Sequence, residues 1–71
     1  MSISSKATIL NRLASATEES PLALFETTDG IDCVFASTVG AQMRKASNSY
    51  IATVHKDMPL QNVEAVIRAH S

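Results

Sequence analysis

Residues 22–37 read LALFETTDGIDCVFAS, and this stretch decides the fold because two apolar runs flank the pair Asp29-Gly30. An Asp-Gly pair between strand-like segments predicts a β-hairpin, since a type I′ turn requires positive φ at both of its central residues. With Asp29 and Gly30 at the centre of the turn, counting outward along both strands places Leu24 opposite Phe35. The hairpin is therefore the predicted centre of the sheet.

Side-chain alternation divides this hairpin into two faces. The face expected to form the main core carries Leu22, Leu24, Glu26, Thr28, Ile31, Cys33, Phe35 and Ser37. The second face carries Ala23, Phe25, Thr27, Asp32, Val34 and Ala36. Because Phe25 and Val34 would lie opposite each other there, we expect the sheet to be covered on both sides or shared with a partner.

The segment before the hairpin has a helical pattern. Residues 3–18 are predicted to form a helix that is capped by one of the serines at positions 2, 4 and 5. We expect Ser20-Pro21 to end it, because the residue before a proline is pushed away from helical angles. Its predicted apolar stripe, beside Ile9, consists of Ile3, Ala7, Leu10, Leu13, Ala14 and Thr17.

Residues 38–46 allow two interpretations. Ala, Gln, Met, Arg and Lys are strong helix formers and Ser37 is a suitable cap, which favours a helix. Gly40, however, costs about 1 kcal/mol inside a helix. Residues 41–46 could instead pair as a strand with residues 50–55. We favour the helix.

A third strand and a last helix complete the chain. Residues 50–56 are rich in β-branched and aromatic side chains and alternate with period two, so they predict a strand with Tyr50, Ala52 and Val54 on one face. Asp57 and Pro59 then favour a helix start. The stripe of that helix is Leu60, Val63, Val66, Ile67 and His70.

Size and composition predict one small domain, residues 1–71. The expected fold class is α+β: a small antiparallel sheet, made of the central hairpin plus a third strand, packed with N- and C-terminal helices in the order α-β-β-(α)-β-α. A core of this size supplies about 3–5 kcal/mol of net stability, so a homo-oligomer would be a natural source of more. The start MSISSKATIL resembles no secretory signal, and no run is long enough to span a membrane, so we expect a cytoplasmic protein.

The residue types that carry chemistry are sparse and widely spaced. The single thiol, Cys33, lies mid-strand beside Val34 and is expected to be a buried small hydrophobe rather than a nucleophile. His55 and His70 lack the close spacing of metal ligands, and two isolated glycines do not make a phosphate loop. We therefore expect no enzymatic activity, no metal and no cofactor.

Charge is unevenly distributed although the net charge is only −1. No Lys or Arg occurs between Leu13 and Met43, and the carboxylates in that window suggest an acidic end on an apolar hairpin. Such a surface suits a protein partner with a basic surface. The expected function is that of an interaction module, a small regulator or inhibitor of the type that phages and mobile elements carry. Its predicted partner-binding residues are Glu18, Glu19, Phe25, Glu26, Asp29 and Asp32.

The alternative is a small nucleic-acid-binding domain. Arg44 and Lys45, with Lys56 and Arg68 nearby, would form its basic patch. If residues 41–46 were extended, the element order would be that of a double-stranded-RNA-binding domain. The last helix, however, begins without the lysine cluster that contacts phosphates in such a domain.

Overall fold

The structure is a computed structural model that describes residues 5–46 and 49–70 of the 71-residue chain. These residues form three helices and three strands in the order α-β-β-α-β-α, which confirms the predicted α+β class. The elements are α1 (Lys6–Leu13), β1 (Leu22–Thr27), β2 (Gly30–Phe35), α2 (Val39–Arg44), β3 (Tyr50–Val54) and α3 (Leu60–Ala69).

The sheet has the order β2-β1-β3, and β1 is antiparallel to both of its neighbours. Helices α1 and α3 cover its first face, where they enclose the main core: Ile9, Leu13, Ala16, Leu22, Leu24, Ile31, Cys33, Val54, Val63 and Ile67. Helix α2 connects β2 to β3 across the second face, where Ala23, Phe25 and Ala36 form a smaller core. The sheet is thus covered on both sides by its own chain.

The hairpin register differs from the predicted one by two residues. Thr27 pairs with Gly30, so Thr28 and Asp29 occupy the turn centre, and Leu24 lies opposite Cys33. No non-glycine residue in the described part of the chain has positive φ, which excludes a type I′ turn. Gly30 instead takes a φ of 153° at the fourth turn position, where type I turns favour glycine. Because a shift of two preserves alternation, both predicted faces of the hairpin persist.

A β-bulge in β3 changes the faces of the third strand. Leu24 pairs with Ala52 but Phe25 pairs with Tyr50, so Ile51 is an extra residue opposite β1. Tyr50 therefore lies beside Phe25 on the second face, with 5.8 Å between their ring centroids. The prediction that Tyr50 shares a face with Ala52 is wrong. Ile51 packs against the main core instead.

Helix α2 confirms the helical interpretation of residues 38–46, and the strand alternative is wrong. Its cap is Thr38 rather than Ser37: the Thr38 hydroxyl accepts a hydrogen bond from the Ala41 amide at 3.2 Å. Ala41 is fully buried, whereas the side chain of Met43 is 75% exposed. Ala41 therefore faces the interior of the molecule, whereas Met43 faces solvent.

Helix α1 is shorter than predicted. Ser5 caps it by accepting a hydrogen bond from the Thr8 amide at 3.1 Å, while Ser2, Ile3 and Ser4 lie outside the described residues. It ends at Leu13, well before Pro21. The amides that follow donate to the carbonyl three residues earlier and not four, as Ala16 does to Leu13 at 3.0 Å. The predicted stripe is partly wrong: Ile9, Leu13 and Ala16 are buried, whereas Ala7, Ala14 and Thr17 are exposed.

Helix α3 begins at Leu60, and Pro59 rather than Asp57 occupies its N-cap position. The proline preserves the predicted start because its fixed φ suits the entry to a helix. Val63 and Ile67 are buried as their spacing predicts, whereas Leu60 is 53% exposed.

Candidate functional site

The five carboxylates of the predicted partner-binding set do not come together. Glu18 and Glu19 precede β1, whereas Asp29 lies at the hairpin tip, so the six-residue length of β1, about 20 Å, separates them. Glu26 and Asp32 project from opposite faces of the hairpin. The expected acidic end on an apolar hairpin is therefore not formed, because residues distant by one strand length lie at opposite ends of the sheet.

Phe25 offers no surface to a partner, since its side chain is fully buried. The Arg44 guanidinium lies over its ring, with 4.3 Å from the guanidinium carbon to the ring centroid. Arg44 also donates a hydrogen bond to Asp32 at 3.1 Å and so balances the negative charge of that carboxylate. Asp32 and Phe25 hold α2 on the sheet, a structural role that the sequence pattern had not distinguished from binding.

Glu26 remains exposed but has a neighbour on α3. Its carboxylate lies 3.2 Å from Nδ1 of His70, so the end of α3 is tied to β1. Asp29 is exposed at the turn.

The exposed carboxylates that do converge surround one cavity of about 740 Å³, lined by Thr17, Glu18, Glu19, Lys56 and Asp57. We call it the acidic cavity. It forms where the loop between α1 and β1 meets the loop between β3 and α3, and the Lys56 amide donates to the Ala16 carbonyl at 2.8 Å there. Asp57, which the sequence suggested as a helix cap, becomes the third carboxylate of this cavity.

An apolar groove adjoins the acidic cavity and shares Lys56 with it. The groove has a volume of about 270 Å³ and is lined by Leu10, Leu13, Ala14, Lys56 and Leu60. Leu60 is one of the large apolar side chains that remain exposed. Acidic and apolar surfaces are therefore contiguous at this end of the molecule.

The four basic residues of the nucleic-acid alternative are dispersed. Arg44 and Lys45 lie at the end of α2 over the second face, with Lys45 Nζ 5.5 Å from the Tyr50 ring centroid. Arg68 is on α3, which packs on the first face, and Lys56 lies among the carboxylates of the acidic cavity. These positions do not form one basic patch.

Cys33 has a relative exposure of 2% within the main core. Arg12 donates from Nη1 to the Cys33 carbonyl oxygen at 3.3 Å and approaches its sulfur at 3.5 Å. His55 lies at the end of β3 and accepts a hydrogen bond from the Asp57 amide through Nδ1. Cys33, His55 and His70 thus have different neighbours and do not form one site.

Residues 5–46 and 49–70 contain neither a metal-ligand cluster nor a membrane-spanning helix. No cluster of three or more His, Cys, Asp or Glu side chains in these ranges is suited to hold a metal ion. No helix within them has the length and apolar character needed to cross a membrane.

Comparisons of this chain with protein-family models, with curated proteins and with solved structures find no match.

Proposed function

We propose that this chain is a non-enzymatic protein-interaction module, a small regulator or inhibitor, and that it docks onto a basic partner through the acidic cavity. The observation that carries the proposal is the convergence of Glu18, Glu19 and Asp57 around one exposed cavity, where Lys56 is the one cation among the described lining residues. The three negative charges and one positive charge of these described residues sum to −2.

The physical basis is charge complementarity with a contiguous apolar contact. Exposed carboxylates attract a basic surface over a distance, which raises the association rate and the specificity more than the affinity. The adjoining groove at Leu10 and Leu60 would add burial of apolar area. Stable complexes bury about 1,200–2,000 Å² in total, so the partner would cover both the cavity and the groove.

Affinity capture with a charge-reversal variant tests this proposal. The tagged chain and its Glu18→Lys/Glu19→Lys variant are exposed to the same nuclease-treated extract of the native host, at low and at moderate salt. We expect a protein that is retained by the unmodified chain at low salt, reduced at moderate salt, and lost from the variant. Asp29→Lys is the matched control, because Asp29 is exposed at the opposite end of the sheet.

Two results would contradict the proposal. Retention of the same protein by the Glu18→Lys/Glu19→Lys variant would show that the acidic cavity does not bind it. Loss of that protein from Asp29→Lys would indicate a partner site at the hairpin tip instead.

The nucleic-acid alternative stays a prediction with its own measurement. If the chain binds nucleic acid, it should shift the mobility of DNA or RNA in a gel. This shift should weaken steeply as salt is added, because basic residues that contact phosphates displace bound cations. Arg44→Ala with Lys45→Ala should abolish that shift, whereas Glu18→Lys/Glu19→Lys should not. The two functions therefore respond to different variants.

A further inference from the structure

The apolar groove lies between helices α1 and α3. Lys6, Leu10 and Ala14 follow one another along α1 and its C-cap at intervals of four residues, and residues so spaced share one face of a helix. Leu60 and Glu64 have the same spacing on α3. The Lys6 ammonium lies 2.8 Å from the Glu64 carboxylate, so an ion pair bridges the two helices at one end of the groove.

The charges at the two ends of the groove are unequal. The opposite charges of Lys6 and Glu64 balance each other at the first end. At the other end the groove shares Lys56 with the acidic cavity, where three carboxylates surround this one lysine. An occupant of the groove therefore has a favourable place for its own cations at one end only.

The dimensions of the groove suit the side chains of a protein rather than a small molecule. Its volume of about 270 Å³ lies below the range of about 300–1,000 Å³ that is typical of small-molecule pockets. The rise from Lys6 to Ala14 is about 12 Å, or roughly two helical turns. Leu60 is 53% exposed on one wall, and Ala14 on the other wall is exposed and has no atom beyond Cβ, so apolar side chains of a partner can enter between them.

The walls of the groove favour a helix over a strand as its occupant. The Leu10 carbonyl accepts from the Ala14 amide at 3.3 Å, and the Lys56 amide donates to the Ala16 carbonyl at 2.8 Å. An extended peptide binds mainly through main-chain hydrogen bonds to the edge of a sheet, which helical walls do not present. A helix needs no such bonds, because its own main-chain groups are paired internally, and its side-chain ridges pack into the groove between two others.

We propose that the apolar groove binds an amphipathic helix of the basic partner, with the apolar stripe of that helix between α1 and α3 and its Lys and Arg side chains over the acidic cavity. Large apolar side chains at positions i, i+4 and i+7 of that helix span about two turns, which matches the length of the groove. This inference rests on the proposed function and deepens it, because it names the part of the partner that is recognised.

Charge argues against a second copy of this chain as the occupant. Lys6 and Arg12 on α1 and Arg44 on α2 each contact a group of their own chain. Lys6 and, less strongly, Arg68 on α3 lower the pKa of Glu64. A second copy also carries a net charge of −1, the same sign as the acidic cavity. A basic helix of another protein has neither disadvantage.

NMR titration of the isotope-labelled chain with three synthetic peptides of about 18 residues, long enough to form a helix in water, tests the inference. The basic amphipathic peptide has Leu at every third or fourth position and Lys and Ala elsewhere. The second peptide has the same composition in scrambled order, and the third has Glu in place of each Lys. We expect the first to shift the amide signals of Leu10, Ala14 and Leu60 and to bind about tenfold more tightly than the scrambled peptide. The Glu peptide should not bind.

Three outcomes of the titration would overturn the inference. Equal affinities of the basic amphipathic and scrambled peptides would show that the chain recognises charge alone. Signal shifts confined to α2 and the second face of the sheet would place the contact outside the groove. No binding of the basic amphipathic peptide at about 1 mM, the weakest affinity of interest, would show that the groove does not take such a helix.

Leu60→Ser and Met43→Ser form a matched pair of variants. Both residues are large, apolar and exposed, at 53% and 75%, but Met43 lies on α2 and not in the groove. We expect Leu60→Ser to weaken the binding of the basic amphipathic peptide about tenfold, and Met43→Ser to leave it unchanged. Unchanged affinity in Leu60→Ser would contradict the inference.

Capture of the native partner separates this inference from the proposed function. A partner that is lost from Glu18→Lys/Glu19→Lys but retained by Leu60→Ser would leave the proposed function intact and overturn the binding of a helix in the groove. Loss from both variants, with a helical segment of the partner protected from amide hydrogen exchange in the complex, would support both proposals. Retention by both variants would overturn both.

Discussion

The Arg44 guanidinium lies 4.3 Å from the centroid of the Phe25 ring and donates a hydrogen bond to Asp32 at 3.1 Å, so one side chain fastens α2 to both strands of the hairpin. The chain thereby covers the second face of its sheet with a helix of only six residues. An isolated helix of this length is not stable in water, so its position depends on such contacts.

Arg44→Ala is expected to lower the free energy of unfolding by about 1–2 kcal/mol, the sum of a partly buried cation–π contact and a modest ion pair. Urea denaturation of purified protein measures it. Lys45→Ala is the matched control, because Lys45 is exposed and lies farther from its ring, at 5.5 Å, and we expect a change within about 0.5 kcal/mol. Equal losses in the two variants would contradict the fastening role of Arg44.

The cap of α2 provides a second prediction. Thr38→Ala should cost about 1 kcal/mol, because the Ala41 amide loses the hydroxyl that accepts its hydrogen bond. Ser37→Ala should cost less than about 0.5 kcal/mol, since the Ser37 hydroxyl contacts only the exposed Ser20 hydroxyl among the described residues. Thermal denaturation of both variants compares them, and a larger loss for Ser37→Ala would reverse the assignment.

The sequence predicts those features of the fold that neighbouring residues determine, and it does not predict features that depend on contacts between distant residues. The alternation of side chains in the hairpin depends only on neighbouring residues, so both faces are predictable. The turn centre is nevertheless Thr28-Asp29 and not the predicted Asp29-Gly30. The bulge at Ile51 is not local, because Glu26 on β1 bonds to Ser49 and Ile51 packs in the main core. Nothing in residues 50–56 themselves marks the extra residue.

The same distinction applies to the candidate site. Glu18 and Glu19 were predictable as an acidic pair in a window without cations. Asp57 was not, because it joins them only after the main chain of Lys56 bonds to Ala16, a contact between distant parts of the chain. The sequence does not show which element covers the second face, so it does not distinguish a buried Phe25 from a Phe25 that binds a partner.

Phe25 itself gives a third prediction. Phe25→Ala should cost about 3–5 kcal/mol, because it empties the centre of the smaller core and removes the ring beneath Arg44. A domain with a net stability of this order would be largely unfolded at 25 °C. Met43→Ala is the control, since that side chain is 75% exposed and its loss should change stability by less than about 0.5 kcal/mol. Circular dichroism shows whether each variant is folded. A Phe25→Ala variant that stays folded but loses a partner bound by the unmodified chain would indicate that Phe25 belongs to the binding surface.

A fourth prediction concerns the thiol. Cys33 should react slowly with an aromatic disulfide reagent in the native protein and completely in urea, because the sulfur is buried in the main core. Arg12→Ala should accelerate the native reaction, since the guanidinium covers the sulfur and the neighbouring carbonyl. Rapid labelling of the native, unmodified chain would contradict the burial of this residue and would reopen a chemical role for it.

The ion pair between the two terminal helices gives the last prediction, on pH. Lys6 Nζ lies 2.8 Å from Glu64 Oε2, and the hydrogen bond from Lys6, with its charge, lowers the pKa of Glu64 below its ordinary value. The unfolded chain therefore binds this proton more readily, so the stabilising contribution of Glu64 is present above the ordinary carboxyl pKa and is lost as pH falls through the lowered one. An NMR titration of the Glu64 carboxyl should show this pKa returning toward its ordinary value in Lys6→Met but not in Lys56→Met. Because both side chains are at the surface, added salt should reduce the difference in Glu64 pKa between the unmodified chain and Lys6→Met. An identical Glu64 titration in all three proteins would show that Lys6 does not pair with this carboxylate in solution.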